Sequence, residues 1–205
     1  MARLELQRLE VGPWPMNCYL LESPESGELA IVDPGADAER ILAAAGSALV
    51  RYILLTHGHP DHVGALDAVR QATGAPVGIH PADAAAFNLQ ADFSLDHGME
   101  VRVGEGQIRV AHVPGHTPGS ICLWLNGQAV VGDAIFPGGP GHTASPADLR
   151  QSLDSLAHTV FTWPGSTELY PGHGGQTTVG AERRPFQRFV AATHPPGLCG
   201  DVSWT

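Results

Sequence analysis

Lysine is missing from this 205-residue chain: all 11 basic residues are arginines, set against 21 acidic ones, for a formal net charge of −10. An acidic excess of that size excludes a broad electrostatic grip on nucleic acid, which needs a positive footprint. Cysteine is scarce as well. Cys18, Cys122 and Cys199 are odd in number, far apart and without paired spacing, which argues against a disulfide framework and for reduced thiols. No apolar run approaches the roughly 20 residues needed to span a bilayer. The first ten residues alternate charge and apolarity and lack the apolar core of a signal peptide. The expectation is a cytoplasmic protein with neither a membrane nor a nucleic-acid partner.

What is present is an ordinary globular composition, 43% hydrophobic and 16% charged, punctuated by 25 glycines and 17 prolines. The length suits a single domain over residues 1–205, and the many turns favour short elements with functional loops over a helical bundle. Alternating or wholly apolar runs predict strands over 4–9, 18–21, 29–32, 52–55 and 77–79, and later over 100–103, 107–113, 121–125, 128–131 and 168–170. Asn126-Gly127 is the strongest hairpin signal. Helices are predicted over 37–45 with Asp37 as N-cap, 62–72 stopped by Gly74, 145–160 opened by Ser145-Pro146, and 179–192 interrupted early by Pro185. The 81–98 stretch is partly helical at most. This order fits two β-sheets with helices outside.

Four of the strands run into metal-type ligands. The strand over 52–55 leads into Thr56-His57-Gly58-His59-Pro60-Asp61-His62; the others lead into Pro114-Gly115-His116, Gly132-Asp133 and Pro171-Gly172-His173. His57 and His59 stand two apart, so they cannot share a helix face, and Gly58 and Pro60 also oppose helix; a loop curled around a centre can aim all four polar side chains inward. Imidazole with carboxylate and no thiolate suits zinc, iron or manganese. Gly115, Gly132 and Gly172 each precede a ligand, where the missing Cβ permits a sharp turn or close approach. His112 reads as a supporting or structural histidine, and His142 as either a pocket residue or a solvated one. His80, His97, His158 and His194 read as ordinary histidines, and Trp14, Trp124 and Trp163 as core or loop anchors.

These ordered motifs, with Pro114-Gly115-His116-Thr117-Pro118-Gly119-Ser120 and Gly132-Asp133-Ala134-Ile135-Phe136, resemble those of the metallo-β-lactamase superfamily over nearly the whole chain, and the small glyoxalase II-like hydrolases in particular. The resemblance implies an α/β fold, an αββα sandwich of two mixed β-sheets flanked by helices, with the site along one edge. It implies two divalent metal ions, zinc first with iron or manganese as alternatives: His57, His59 and His116 on one, Asp61, His62 and His173 on the other, and Asp133 bridging. True β-lactamase branches generally carry cysteine in place of Asp133, so antibiotic hydrolysis is not expected. Glyoxalase II enzymes hold glutathione with a basic carboxyl-terminal domain, whereas here little follows His173, and His142 stands where relatives often have arginine.

The implied reaction is hydrolysis of a small-molecule thioester, with a hydroxide formed from a water shared by the ions as nucleophile and Asp61 and Asp133 as ligands that also orient it. The nearest rival is a persulfide dioxygenase with one iron on His57, His116 and Asp133. A lactonase with Tyr170 or His142 touching the ring oxygen is a second. A zinc-stabilised module without catalysis is the furthest, since closed structural sites are usually cysteine-rich.

Overall fold

The computed structural model describes residues 4–125 and 127–204. Its first sheet begins as an antiparallel meander of β1 (Glu5–Val11), β2 (Met16–Ser23) and β3 (Glu28–Val32). It continues in parallel through β4 (Leu49–Leu54), β5 (Val77–Ile79) and β6 (Phe93–Ser94), so the strand order follows the chain. Helices α1 (Ala38–Ala45), α2 (Pro60–Val63), α3 (Leu66–Thr73) and α4 (Pro81–Ala86) lie in the connections. The second sheet contains β7 (Glu100–Val103), β8 (Gly106–His112), β9 (Ile121–Trp124), β10 (Gln128–Gly132), β13 (Glu168–Pro171) and β14 (Thr177–Thr178), ordered β14-β13-β10-β9-β8-β7. There β10 and β13 run parallel and the other neighbours antiparallel. A ribbon of β11 (Ile135–Phe136) and β12 (Gly139–Pro140) follows β10, and α5 (Pro146–His158), continued by a 3-10 turn over Val160–Thr162, and α6 (Val179–Ala191) complete the helices among the described residues.

Side-chain alternation along each strand builds three apolar layers from two sheets. In β2, Tyr19 and Leu21 enter the core between the sheets while Cys18 and Leu20 pack outward. In β10, Val130 faces that core while Ala129 and Val131 face the opposite way. The outer layer of the first sheet includes Ile41 of α1 and Leu66 and Val69 of α3; that of the second includes Leu156 of α5 and Phe186 and Phe189 of α6. Strands covered on both faces are near-continuously apolar, which is why the 52–55 and 129–131 runs show no polar alternation. The order helix, sheet, sheet, helix is the expected αββα sandwich.

The local differences have physical causes. Asp37 sits at the start of α1 with a left-handed backbone and no cap bond to it; its Oδ2 instead accepts from Gly12 N at 2.9 Å. The helix expected over 62–72 is two helices, because Ala65 N leaves the helical ladder to donate to Pro34 O at 2.9 Å. The 81–98 stretch yields α4 and the short β6. Pro185 does not interrupt α6; burial of Phe186 and Phe189 beside Trp204 holds the helix through it. Trp14 is 82% exposed and anchors nothing. Asn126 lies outside the described residues, but the strands on either side pair antiparallel, Ala129 opposite Trp124.

Burial raises the thiols of Cys18 and Cys122 far above the ordinary cysteine range, Cys18 being pushed further by the Asp33 carboxylate. A thiol that cannot form thiolate does not alkylate. Native protein treated with iodoacetamide should therefore gain a single label, on the partly exposed Cys199, and three after denaturation. Rapid native labelling at Cys18 or Cys122, read by mass spectrometry, would contradict this packing.

Candidate metal centre

The carboxyl ends of β3, β4, β8, β10 and β13 deliver Asp33, the 56–62 segment, the 113–120 loop, Asp133 and His173 to one place. That segment is not loop throughout, against the expectation from Gly58 and Pro60: Pro60 takes the first position of α2, where its missing N–H costs nothing, and Asp61 and His62 stand on that helical turn. Three histidines converge first: His57 Nε2 lies 3.1 Å and His116 Nε2 2.9 Å from the same atom, His59 Nδ1. Asp61, His62 and His173 form a second cluster, with His173 Nε2 3.1 Å from Asp61 Oδ2. Asp133 stands between them. Its Oδ1 is 3.4 Å from His62 Nε2, and its Oδ2 is 3.7 Å from both His116 Nε2 and His173 Nε2. All seven histidine and aspartate residues expected from the sequence motifs are thus brought together.

The far side of each ring fixes which nitrogen carries hydrogen. A carbonyl can only accept, so His116 donates from Nδ1 to His142 O at 2.8 Å and His173 from Nδ1 to Pro15 O at 2.8 Å. Asp33 Oδ2 takes the Thr56 hydroxyl hydrogen, so His57 Nδ1, 3.2 Å from that oxygen, must donate to it. His62 Nδ1 donates to the same Asp33 oxygen at 3.0 Å. In the neutral state, Nε2 of His57, His62, His116 and His173 is then a bare lone pair; His59 Nδ1 can donate a hydrogen to only one of His57 and His116, and the rest face one another and the carboxylates. Two of these inward atoms, His62 Nε2 and Asp133 Oδ1, are buried without any hydrogen-bond partner. Acceptors facing acceptors in a buried site need positive charge between them, and this donor set fits divalent cations.

The protonation preferences agree. Burial, followed by repulsion from His62, His116 and His59, holds His57 well below the ordinary histidine range, so it is neutral and free to ligate. Burial likewise lowers His59. Burial would lower His62 too, but the Asp33 and Asp133 carboxylates push it up to about 10, so without a cation the cluster recruits a proton instead. Asp133 is held below the usual carboxylate range because His62, His116 and His173 outweigh its burial. A bound cation would displace the His62 proton, since ligating imidazoles are neutral.

The remaining residues fall out differently. His142 borders the site through its backbone, while its ring, half exposed, pairs with Asp201 at 3.1 Å. Tyr170 lies in the core between the sheets, its hydroxyl directed back along β13 to Glu168 Oε2 at 3.0 Å. It does not present that hydroxyl at the strand end where a substrate ring oxygen would sit. His112 is structural, donating to Pro118 O at 2.9 Å. The sequence motifs do not reveal the fully buried Asp33 and Asp83. Asp33 accepts from Thr56 N and Oγ1 and from His62. It follows an apolar strand and precedes Pro34-Gly35, so the strand-end signal that marks Asp133 marks it too; Asp83 carries no such signal.

The family model described as Metallo-beta-lactamase superfamily matches residues 11–173. A hydroxyacylglutathione hydrolase of Anaeromyxobacter dehalogenans is 41% identical over 87% of this chain, which spans 66% of that protein. The probable metallo-hydrolase YqgX of Bacillus subtilis is 32% identical, covering 89% of this chain and 97% of that one. Among solved structures, TTHA1623 in a di-iron-bound form matches with 33% identity and a TM-score of 0.74, over 87% of this chain and 97% of its own. ETHE1 from Myxococcus xanthus matches with 29% identity and a TM-score of 0.79, over 88% and 82%. A structure titled BLEG-1 B3 metallo-beta-lactamase gives 29% and 0.78, over 88% and 97%.

Gly172 tests the site without touching a donor. A Cβ there would collide with Asp133 Oδ1 and His62 Cε1. Gly172→Ala should keep the far-UV circular dichroism of the parent, at a cost of about 1–3 kcal/mol in stability, yet lower metal affinity about 10-fold or more, as displaced supporting groups do. Unchanged metal content after dialysis against a chelator would contradict the placement of Asp133 and His62.

Proposed function

Since the chain belongs to the metallo-β-lactamase superfamily, whose hydrolases use divalent metals, we propose that residues 1–205 act as one dinuclear hydrolase domain that cleaves a thioester. The observation that carries this reading is the completeness of both clusters on either side of Asp133. His57, His59 and His116 would hold one ion, Asp61, His62 and His173 the other, and Asp133 both, with zinc the proposed metal and iron or manganese served by the same donors. Divalent ions bound there would supply Lewis acidity, lowering the pKa of water toward about 7 and polarising a carbonyl oxygen.

The chain's own groups arrange the rest. The Asp33–Thr56–His57 hydrogen-bond relay and the Asp33–His62 bond hold two rings in one orientation, so reacting atoms meet fixed partners and no reorganisation is needed. Asp61, with 47% of its side chain exposed, is open to solvent and can accept a hydrogen from the attacking water at Oδ1 or Oδ2, aiming the oxygen lone pair at the acyl carbon. His173, 32% exposed, lines the same opening, whereas His57 and His62 are sealed behind it. A thiolate leaves without a strong general acid, so the reaction asks no further proton donor of the site.

A second reading has a specific observation in its favour, the similarity to ETHE1. A persulfide dioxygenase would use one iron on His57, His116 and Asp133. It has no need of Asp61, His62 and His173 as a second complete cluster, and their convergence favours the hydrolase.

The test is a side-by-side assay of a thioester, a glutathione persulfide and a β-lactam, with and without air, on protein of measured metal content. The expected result is close to two metals per chain and thioester turnover indifferent to oxygen, abolished in His59→Ala and Asp61→Ala. One iron per chain with oxygen uptake on persulfide and no thioester turnover would overturn the hydrolase.

A further inference from the structure

Asp83 is a fully buried carboxylate outside the seven-residue centre and unused by the reaction proposed above. It sits on α4, and its two oxygens reach both histidine loops of the three-histidine cluster. Oδ2 accepts from Gly58 N at 2.9 Å, the peptide between His57 and His59, and from Thr117 Oγ1 at 2.8 Å, the residue after His116. Oδ1 accepts from Gly119 N at 2.6 Å. Since Thr117 spends its hydroxyl hydrogen on Asp83, Ser120 Oγ donates to Thr117 Oγ1 at 2.6 Å, and Thr117 N returns a bond to Ser120 Oγ at 3.1 Å. The His116 loop is thereby closed on itself and fastened to the His57 loop by one side chain.

The rest of α4 reinforces this. A Cβ on Gly58 would strike the Phe87 ring just after the helix, and one on Gly119 would come within 2.6 Å of Asp83 N, so both loops lie directly against it. Phe87 also meets the His59 ring edge to face at 5.2 Å. The start of α4 is capped by His80, whose ring stacks on His112 at 3.9 Å, and His112 in turn donates to Pro118 O. Among the described residues, Asp83 takes part in none of the ion pairs. The donors on its two oxygens are two peptide N–H groups and one hydroxyl, all neutral.

We propose that Asp83 is the positioning residue of the three-histidine centre: it sets the separation of His57 and His59 from His116 and contributes a buried negative charge toward the cation they hold. The inference rests on the reading that those histidines bind metal. It assigns no contact between Asp83 and the ion or substrate.

The experiment is cobalt(II) titration of the full chain, followed by its visible absorption, together with zinc competition against a chromophoric chelator, on the parent, Asp83→Asn and Thr117→Val. Asp83→Asn is nearly isosteric but turns an amide donor toward peptide donors and removes the charge. The expected result is a loss of about 10-fold or more in affinity at the three-histidine centre, with the Asp61, His62 and His173 centre changed less than about threefold. Thr117→Val, which deletes one of three bonds, should move the same centre in the same direction by less. A merely structural role would lower the melting temperature and weaken both centres together, and that outcome overturns the proposal. Parent affinity at the three-histidine centre overturns it as well; should Asp83→Asn fail to fold, Thr117→Val decides by selectivity alone, a loss at the three-histidine centre larger than at the other supporting the proposal and an equal loss or none overturning it. A parent chain that binds no metal removes the premise and the proposal with it, whereas metal binding without thioester turnover counts only against the substrate assignment.

Discussion

Lone pairs that face lone pairs at the ends of four strands, β4, β8, β10 and β13, govern this structure. Carbonyl and carboxylate partners on the outer side of His62, His116 and His173, and the Thr56 hydroxyl behind His57, strip hydrogen from the inward nitrogens. Asp133 then adds carboxylate oxygens to the same space, 3.4 to 3.7 Å from three of the rings. Such a cluster is tolerable only around positive charge, and its most buried histidine keeps a proton up to about pH 10 when nothing else supplies one. The cost of holding these groups together falls on the scaffold, and the scaffold is built accordingly: two sheets with apolar layers on three levels, and the site at a shared edge.

Rigidity at that edge comes from contacts that leave no spare volume. Gly132 and Gly172 stand where a Cβ would meet the Thr56 side chain and the Asp133 carboxylate. Asn17 holds the loop before and after His173 by donating to Pro171 O at 2.9 Å and Gly174 O at 3.0 Å, and Tyr19 adds a bond to Pro171 O at 2.6 Å. Asp33 and Asp83 do the same for the 56–62 and 113–120 loops. The ligand-type residues therefore sit on short loops, or in the single turn of α2 for Asp61 and His62, tied by hydrogen bonds to neighbouring elements, the arrangement that preorganises a site rather than assembling it on demand.

Much of this was legible in the sequence, for identifiable reasons. The αββα layering could be read because buried strands are apolar on both faces, and the histidine and aspartate cluster because its members crowd directly after strands, most of them behind a glycine. Asp83 is not legible as part of the site, because its partners lie 25 to 36 residues away along the chain and only the fold brings them near; Asp33 carries the same strand-end signal as Asp133, but its bonds to Thr56 and His62 span 23 and 29 residues and show only in the structure. Tyr170 misled for the opposite reason: proximity to His173 in sequence placed it at the site, while strand alternation turns its ring into the inter-sheet core. The split between α2 and α3 was likewise invisible, since it depends on a tertiary bond from Ala65 N to Pro34 O.

The central claim is that the two clusters hold two cations bridged by Asp133. Anomalous diffraction from crystals of protein prepared in zinc, recorded on both sides of the metal absorption edge, tests it most directly. Two anomalous peaks are expected, one among His57, His59 and His116 and one among Asp61, His62 and His173, with Asp133 between them. A single peak, or peaks away from these side chains, would contradict it.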